Sequence, residues 1–179
     1  MGEIEACRRC ELGHLREHVV IYRGPAHPTV VFIGEAPGRE EDRQGVPFVG
    51  RAGKRLDEAI ARLGDPGRSA GILNLVKCRP PENRLGAAPI RACAPFLDRQ
   101  LKLLRPRILV PLGAHALRAI DPAAPRVMAA AGTPRRTGDH CLFPLLHPAA
   151  TFRSRRAAER WAADIDRLRD WLQGELETL

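Results

Sequence analysis

Residues 30–53 read VVFIGEAPGREEDRQGVPFVGRAG, and this segment decides the fold. It begins with an apolar, β-type run that ends at Gly34 and delivers a carboxylate, Glu35, into a loop rich in glycine and proline. Such turn residues allow a ligand to approach the backbone closely. A lone aromatic residue, Phe48, follows in the same irregular segment, and we predict that its ring is exposed. A carboxylate and an aromatic ring on one loop indicate a site for a flat, polar ligand.

Apolar runs and amphipathic segments alternate along the rest of the chain. We predict strands at 30–33, 72–76, 107–112 and 140–146, and helices at 54–63, up to 103, at 114–120 and at 154–172. This alternation predicts an α/β fold with a mostly parallel, four-stranded sheet that is covered by helices on both faces. Ligands bind at the carboxyl ends of the strands in such sheets. The residues expected to converge there are Glu35, Asn74, Gly113 and His147.

Three segments lack a clear periodic pattern. Arg39–Asp42 (REED) is expected to be a solvated loop face, and residues 121–139 are expected to form a loop with one short strand at most. The helix that ends at residue 103 is expected to be broken, or to begin, near Pro95, because proline lacks the backbone N–H that a helix interior uses.

The composition indicates a single domain, residues 1–179, with a polyanionic partner. The chain is 44% hydrophobic and carries a formal net charge of +8, which favours nucleic acid over a membrane as the partner. We find no apolar segment of the length that a signal peptide or a bilayer span requires. We therefore expect no membrane association, a cytoplasmic location and a monomer.

Four cysteines have the spacing of metal ligands. Cys7 and Cys10 form a CxxC pair, and Cys78 and Cys93 follow much later in the chain. The second CxxC pair of a zinc ribbon is missing, so an iron–sulfur cluster, a zinc ion and unrelated thiols all remain open from spacing alone. A metal there would be structural. Cys141 lies in an apolar run and is expected to be a small buried side chain.

Three motifs in order resemble the family 4 uracil-DNA glycosylases. They are GEAPGREEDRQGVPFVGRAG, NLVKCRPPENR with its downstream Cys93, and HPAATFR. The resemblance extends from Cys7 into the last helix, which is nearly the whole chain. It implies a three-layer α/β/α sandwich and a structural 4Fe–4S cluster on Cys7, Cys10, Cys78 and Cys93. It also implies a monofunctional repair enzyme that removes uracil from single- or double-stranded DNA and leaves an abasic site.

The resemblance also implies roles for individual residues. Gly34, Glu35 and Ala36 would line the uracil and water site, and Phe48 would stack on the extruded base. Asn74 would bind the pyrimidine edge, and His147 would face the uracil O2. The best-known uracil-DNA glycosylases carry aspartate at the position of Ala36. Water activation is therefore assigned to Glu35, with backbone dipoles and phosphate charge as the alternative.

Phosphate contacts are expected from the arginines that follow His147, namely Arg153, Arg155 and Arg156, with ordinary solvated side chains as the alternative. Arg79 and Arg84 are second candidates. The remaining histidines, at positions 14, 18, 27, 115 and 140, receive no role.

Two other functions stay open at this point. One is a non-catalytic nucleic-acid-binding module with a structural metal, and the other is a glycosylase with a wider range of deaminated bases.

Overall fold

The computed structural model describes residues 2–138 and 140–177, which contain one sheet of five strands. The strands are β1 (Val30–Gly34), β2 (Ala70–Asn74), β3 (Ile108–Pro111), β4 (Arg135–Thr137) and β5 (His140–Leu142). Their order in the sheet is β2-β1-β3-β5-β4, and every neighbouring pair is parallel except β4 with β5.

The prediction of a mostly parallel sheet is confirmed, but the sheet has five strands and not four. The additional strand, β4, lies in the segment predicted as a loop with one short strand at most. Its three residues, RRT, include no buried one. The strand lies at the edge of the sheet and pairs with β5 alone, so it needs no apolar side chain for the core.

The helices lie on both faces of this sheet. They are α1 (Gly2–Glu5), α2 (Leu12–Leu15), α3 (Arg39–Gln44), α4 (Arg51–Ala61), α5 (Asp65–Arg68), α6 (Ala87–Leu104), α7 (Ala114–Ile120), α8 (Val127–Ala130) and α9 (Arg155–Glu177), with 3₁₀ turns at Pro81–Asn83 and Pro148–Phe152. Alternate residues of β1 point to opposite layers: Val30 and Phe32 pack with α4 and α9, whereas Val31 and Ile33 pack with α6 and α7. This is a three-layer α/β/α arrangement. No helix of the described residues has the length and apolar character needed to cross a membrane.

Strand β2 ends two residues earlier than the sequence predicted. Asn74 is its last residue and pairs with Gly34, the last residue of β1. The backbone N–H of Leu75 then donates to the Gly34 carbonyl at 2.9 Å, which continues the register one step further. The two strands therefore end side by side, and the Asn74 side chain lies at the carboxyl edge of the sheet.

Two of the uncertain segments are helical. Arg39–Asp42, predicted as a solvated loop face, begins α3, and Glu41 and Asp42 in it are buried. Helix α6 is continuous through Pro95. Proline removes only one hydrogen bond of this helix. Buried side chains on either side of Pro95, namely Cys93 before it and Phe96 and Leu97 after it, hold the helix against the core.

Candidate active site

A cavity of about 530 Å³ opens beside the carboxyl ends of β1 and β2. Five of the residues that the sequence predicted for one site line it: Glu35, Ala36, Phe48, Asn74 and His147. They come from three separate stretches of the chain. They meet because the ends of neighbouring parallel strands lie at the same edge of the sheet.

Gly34 lies behind this cavity, where it leaves space for two of the lining side chains. A Cβ atom at Gly34 would be 2.3 Å from Asn74 Oδ1 and 2.5 Å from Phe48 Cε2 and Cζ. Carbon atoms do not approach that closely, so only glycine allows the carboxamide and the ring to pack against the strand end. The sequence predicted Gly34 as a lining residue, and the structure places it one layer further back.

Asn74 carries the most informative polar atom of the cavity. The residue is 1% exposed. Its Oδ1 atom is buried and accepts no hydrogen bond from the part of the chain that the structure describes. A buried acceptor without a partner costs free energy, on the order of 1–3 kcal/mol. An acceptor of this kind on the wall of a cavity therefore favours a ligand that brings its own N–H donor.

Phe48 is buried, contrary to the prediction of an exposed ring. It is 5% exposed and belongs to the core beside α4 and α9, while part of it lines the cavity. Its backbone has φ of 56°, a left-handed conformation that is uncommon for a bulky residue. Its ring centroid lies 6.0 Å from that of His147. The ring is thus a rigid, apolar wall beside the imidazole.

The environment of His147 favours the neutral form of its imidazole. Burial lowers the pKa of its imidazole, the Glu35 carboxylate opposes that effect, and Arg153 adds to it. The backbone N–H of Ala149 donates to Nδ1 at 3.2 Å. Since Nδ1 accepts this bond, the proton of the neutral ring lies on Nε2. His147 therefore has an Nε2–H group to donate to a ligand.

Glu35 has a partner that the sequence did not indicate. Its Oε2 atom lies 2.8 Å from Nδ1 of His115, the second residue of α7. The Glu35 side chain is 31% exposed and that of His115 is 52% exposed, so the pair lies at the rim of the cavity. A histidine within a helix gives no sequence signal for such a contact. Only the parallel pairing of β1 with β3 brings the two together.

Glu41 connects the two loops that form one wall of the cavity. Its carboxylate accepts a hydrogen bond from Gly38 N–H at 3.0 Å and another from Gly50 N–H at 2.8 Å. The carboxylate is nearly buried, and the amides satisfy both of its oxygens. Glu41 thus fixes the distance between two loops, the one that joins β1 to α3 and the one that joins α3 to α4.

The cations at the cavity differ in part from those predicted. Arg153 lines the cavity. Arg155 and Arg156 do not line it; they are exposed in the first turn of α9. Arg155 pairs there with Glu159 at 2.8 Å. Arg51, which the sequence analysis did not select, lines the cavity and holds its guanidinium 3.9 Å from the centre of the Phe152 ring.

Comparison with known proteins identifies the family. A model of the uracil DNA glycosylase superfamily matches residues 21–172. This chain belongs to that superfamily. A Type-4 uracil-DNA glycosylase of Thermotoga maritima is 35% identical over 177 residues, which cover 96% of this chain and 92% of that protein. The protein of the same name from Sulfurisphaera tokodaii is 34% identical, over 94% of this chain and 81% of its own length. Another from Saccharolobus solfataricus is 45% identical over a shorter region, 64% of this chain and 54% of that protein.

In this member of the superfamily, four cysteines lie in one region of the fold, and none of them lines the cavity. Cys78 lies within electrostatic range of Cys10 and Cys7, and Cys93 within range of Cys78 and Cys10. Burial raises the pKa of the Cys78 and Cys93 thiols, and hydrogen bonds from Arg16 and from the backbone of Lys77, respectively, oppose it. Within residues 2–138 and 140–177, no three metal-ligating side chains form a group that closes on one ion.

Proposed function

We propose that this protein is a monofunctional uracil-DNA glycosylase, which hydrolyses the N-glycosidic bond of uracil in DNA and leaves an abasic site. One observation carries the proposal. The unpartnered, buried Oδ1 of Asn74 lies on the wall of a cavity that also presents the Phe48 ring and the His147 imidazole. Membership of the superfamily and the names of its relatives support the same activity.

Asn74 would select uracil by its hydrogen-bonding edge. Its Oδ1 atom would accept the uracil N3–H, and its amide N–H would donate to O4. Cytosine has an acceptor at N3 and an amino group at position 4, so it would place like groups opposite each other. Leaving a buried polar pair unsatisfied in this way discriminates strongly, by about 10⁴–10⁵-fold in sites that read such groups.

Phe48 and His147 would act on the flipped base. The base must leave the duplex stack before its glycosidic bond is accessible, and an aromatic surface recovers about 1–3 kcal/mol of that cost. When the C1′–N1 bond breaks, its electron pair moves onto the uracil, which becomes an anion. The Nε2–H of His147 would donate to O2 and stabilise this charge. A neutral donor leaves the carboxylate of Glu35 free to interact with the sugar.

Glu35 would complete the hydrolysis. The sugar becomes an oxocarbenium-like cation as the base departs, and a nearby carboxylate stabilises such a cation. Water then attacks C1′ and forms the new C–O bond. Its proton passes to the Glu35 carboxylate and onward to solvent, so that atoms and charge balance without a cofactor in the chemical step.

The cations at the cavity would hold the DNA backbone. Arg153 follows the 3₁₀ turn Pro148–Phe152, which His147 caps. Arg51 is held in place by the Phe152 ring. We assign both to phosphates on either side of the flipped nucleotide. Arg155 and Arg156 stay predictions for more distant phosphates. The preference for single or double strands, the monomeric state and the cytoplasmic location likewise stay predictions.

The function is tested with an oligonucleotide that contains one uracil opposite guanine. We expect incubation with the protein to create alkali-labile sites at that position alone. Asn74→Ala should abolish cleavage, whereas Gln100→Ala should retain it. Gln100 is the matched control because its Oε1 is also buried without a partner in the described residues, but it lies outside the cavity. Salt-sensitive binding of an oligonucleotide that remains intact would support the non-catalytic binding module instead.

The range of bases is a separate comparison. Hypoxanthine presents the same N–H and carbonyl pattern as uracil on its pairing edge, so Asn74 alone does not exclude it. Exclusion of a purine depends on the space between Phe48 and His147. Parallel assays with hypoxanthine and with uracil separate a wide base range from a narrow one.

We further propose that Cys7, Cys10, Cys78 and Cys93 hold a 4Fe–4S cluster. Lys77 supports this assignment because it is only 1% exposed and its Nζ donates to the Asn74 carbonyl. Burial lowers the pKa of its ammonium to about 7, and the neighbouring Cys93 and Cys78 oppose that effect. A buried ammonium is costly unless an anion compensates it, and bound iron keeps cysteines in the thiolate form. The cluster would crosslink the N-terminal segment to the end of β2.

Colour and metal content test this proposal. Anaerobically purified protein should be brown and should contain iron and acid-labile sulfide. Cys93→Ser should lose the visible absorption and melt at a lower temperature, whereas Cys141→Ser should keep its absorption. Colourless protein with stoichiometric zinc would contradict the assignment.

A further inference from the structure

The contact between His115 and Glu35 follows from the sheet register. Strands β1 and β3 are neighbours, with Ile33 beside Pro111. The chain leaves both strands at the carboxyl edge of the sheet, and α7 begins three residues after Pro111. His115 therefore faces the loop that starts at Glu35, and its Nδ1 lies 2.8 Å from Glu35 Oε2.

Glu35 differs from the other acidic residues that line the cavity. Both oxygens of Glu41 accept backbone N–H groups, and Glu40 pairs with Arg43 at 2.7 Å on the protein surface. Glu35 engages one oxygen with His115 and also interacts electrostatically with His147. Of these three carboxylates, it alone pairs with an imidazole side chain, at the edge of the cavity.

We propose that His115 is a positioning residue for Glu35 and thereby for the attacking water. This proposal rests on the glycosylase function proposed above. The Nδ1–H of His115 donates to Oε2 and fixes the rotation of the carboxylate. Oε1 is then directed toward the sugar and the water. A carboxylate without this partner rotates freely, since the side chain is 31% exposed.

The test uses single-turnover cleavage of a uracil-containing oligonucleotide, together with the affinity for that DNA. His115→Ala should lower the cleavage rate about tenfold. That is more than the roughly fivefold effect of an exposed ion pair and less than the roughly hundredfold effect of a 1 Å displacement. The DNA affinity should not change. His27→Ala is the matched control, because His27 is exposed and precedes β1 at the opposite edge of the sheet.

Two conservative variants separate positioning from other roles. The side-chain amide of asparagine occupies the place of Nδ1, so His115→Asn should recover most of the rate. Glutamine places its amide further out, so His115→Gln should not recover it. In a Glu35→Ala background, His115→Ala should have no further effect, since the group that it positions is absent.

The possible outcomes distinguish this inference from the function on which it rests. Wild-type protein that does not cleave uracil-containing DNA contradicts the glycosylase function itself. Active wild-type protein with an undiminished rate in His115→Ala overturns the positioning role. So does a His115→Ala variant that changes only DNA affinity, or that slows cleavage equally with and without Glu35.

Discussion

Replacing Gly34 with alanine tests the packing on which the candidate site depends. The new methyl group would lie 2.3 Å from Asn74 Oδ1 and 2.5 Å from the edge of the Phe48 ring. An ordinary contact of this type is about 3.4 Å or more, so each neighbour must move by roughly 1 Å. The carboxamide is attached to the end of β2 and the ring to a left-handed backbone position. Neither can move by that amount without disturbing its own surroundings.

The expected cost has two parts. Overpacking of a buried site typically destabilises a protein by about 1–3 kcal/mol, which for a domain of this size lowers the melting temperature by about 2–12 °C. The effect on activity should be larger. A displacement of about 1 Å in a group that binds the substrate costs about a hundredfold in rate, and Gly34→Ala displaces two such groups. The variant should therefore be folded at room temperature but cleave uracil-containing DNA at least about a hundredfold more slowly.

Gly86→Ala is the matched control for this experiment. Gly86 precedes α6 with ordinary dihedral angles, and a Cβ there would meet only a Pro89 side-chain atom, at 3.8 Å. That variant should retain the wild-type rate and melting temperature. Thermal melting and single-turnover cleavage are measured on both variants. Normal cleavage by a folded Gly34→Ala variant would refute the assignment of Asn74 and Phe48 as the groups that hold the base.

Three further predictions concern the surroundings of the cavity. Because burial lowers the pKa of His147 below its ordinary value of 6.5, protonation favours the unfolded chain. The unfolding free energy of the wild-type protein should therefore fall relative to that of His147→Gln as the pH drops below about 6.5. Above that pH, the difference between the two free energies should be constant. Urea titrations at a series of pH values measure both. Glu41→Gln should lower the unfolding free energy by about 1–3 kcal/mol, because a glutamine side chain has only one oxygen to accept the two loop N–H groups. Glu40→Gln is the control and should leave the unfolding free energy unchanged in the same titration. Arg51→Ala should weaken DNA binding and reduce the salt dependence of the binding constant by about one ion, whereas Arg68→Ala, at the amino end of β2, should not alter that slope.

Much of the site was predictable because a residue at the end of a strand in a parallel sheet has a known place, at one edge of that sheet. Glu35 and His147 each follow an apolar run, and Asn74 lies inside another. Apolar runs of four to seven residues between turn signals predict buried strands. Once the strands are parallel, their carboxyl ends must meet at one edge. Local sequence therefore sufficed to predict that these side chains converge, although the strand boundaries differed by up to four residues, at the end of β5.

The burial of Phe48 was not predictable from its position in a glycine-rich loop. Two glycines leave space for Phe48: Gly34 at the strand end for its ring, and Gly53 in α4 for its backbone. A Cβ atom at Gly53 would lie 1.8 Å from the Phe48 carbonyl oxygen, and one at Gly34 would meet the ring. Glycines at both sites are a sequence signal for close approach, but the sequence does not state which side chain approaches.

His115 was missed for a different reason. Its partner is 80 residues away in the chain, and its own surroundings, AHALRAI, give an ordinary amphipathic helix. The contact depends on the register of β1 against β3 and on the point at which α7 begins. A shift of one residue at the start of the helix would turn this side chain by about 100° and remove the contact. Information of that precision lies in the tertiary structure.

Three glutamates of one short segment show how tertiary contacts give different roles to residues of the same type. Glu35, Glu40 and Glu41 lie within seven residues, and all three line the cavity. Glu41 accepts hydrogen bonds from two backbone amides and holds the loops, and Glu40 pairs with a surface arginine. Glu35 contacts His115 through Oε2 alone. A carboxylate whose oxygens are both committed to backbone amides cannot also take a proton from water without losing those bonds. The hydrogen bonds of its neighbours therefore support the proposal that Glu35, of these three residues, acts on the substrate.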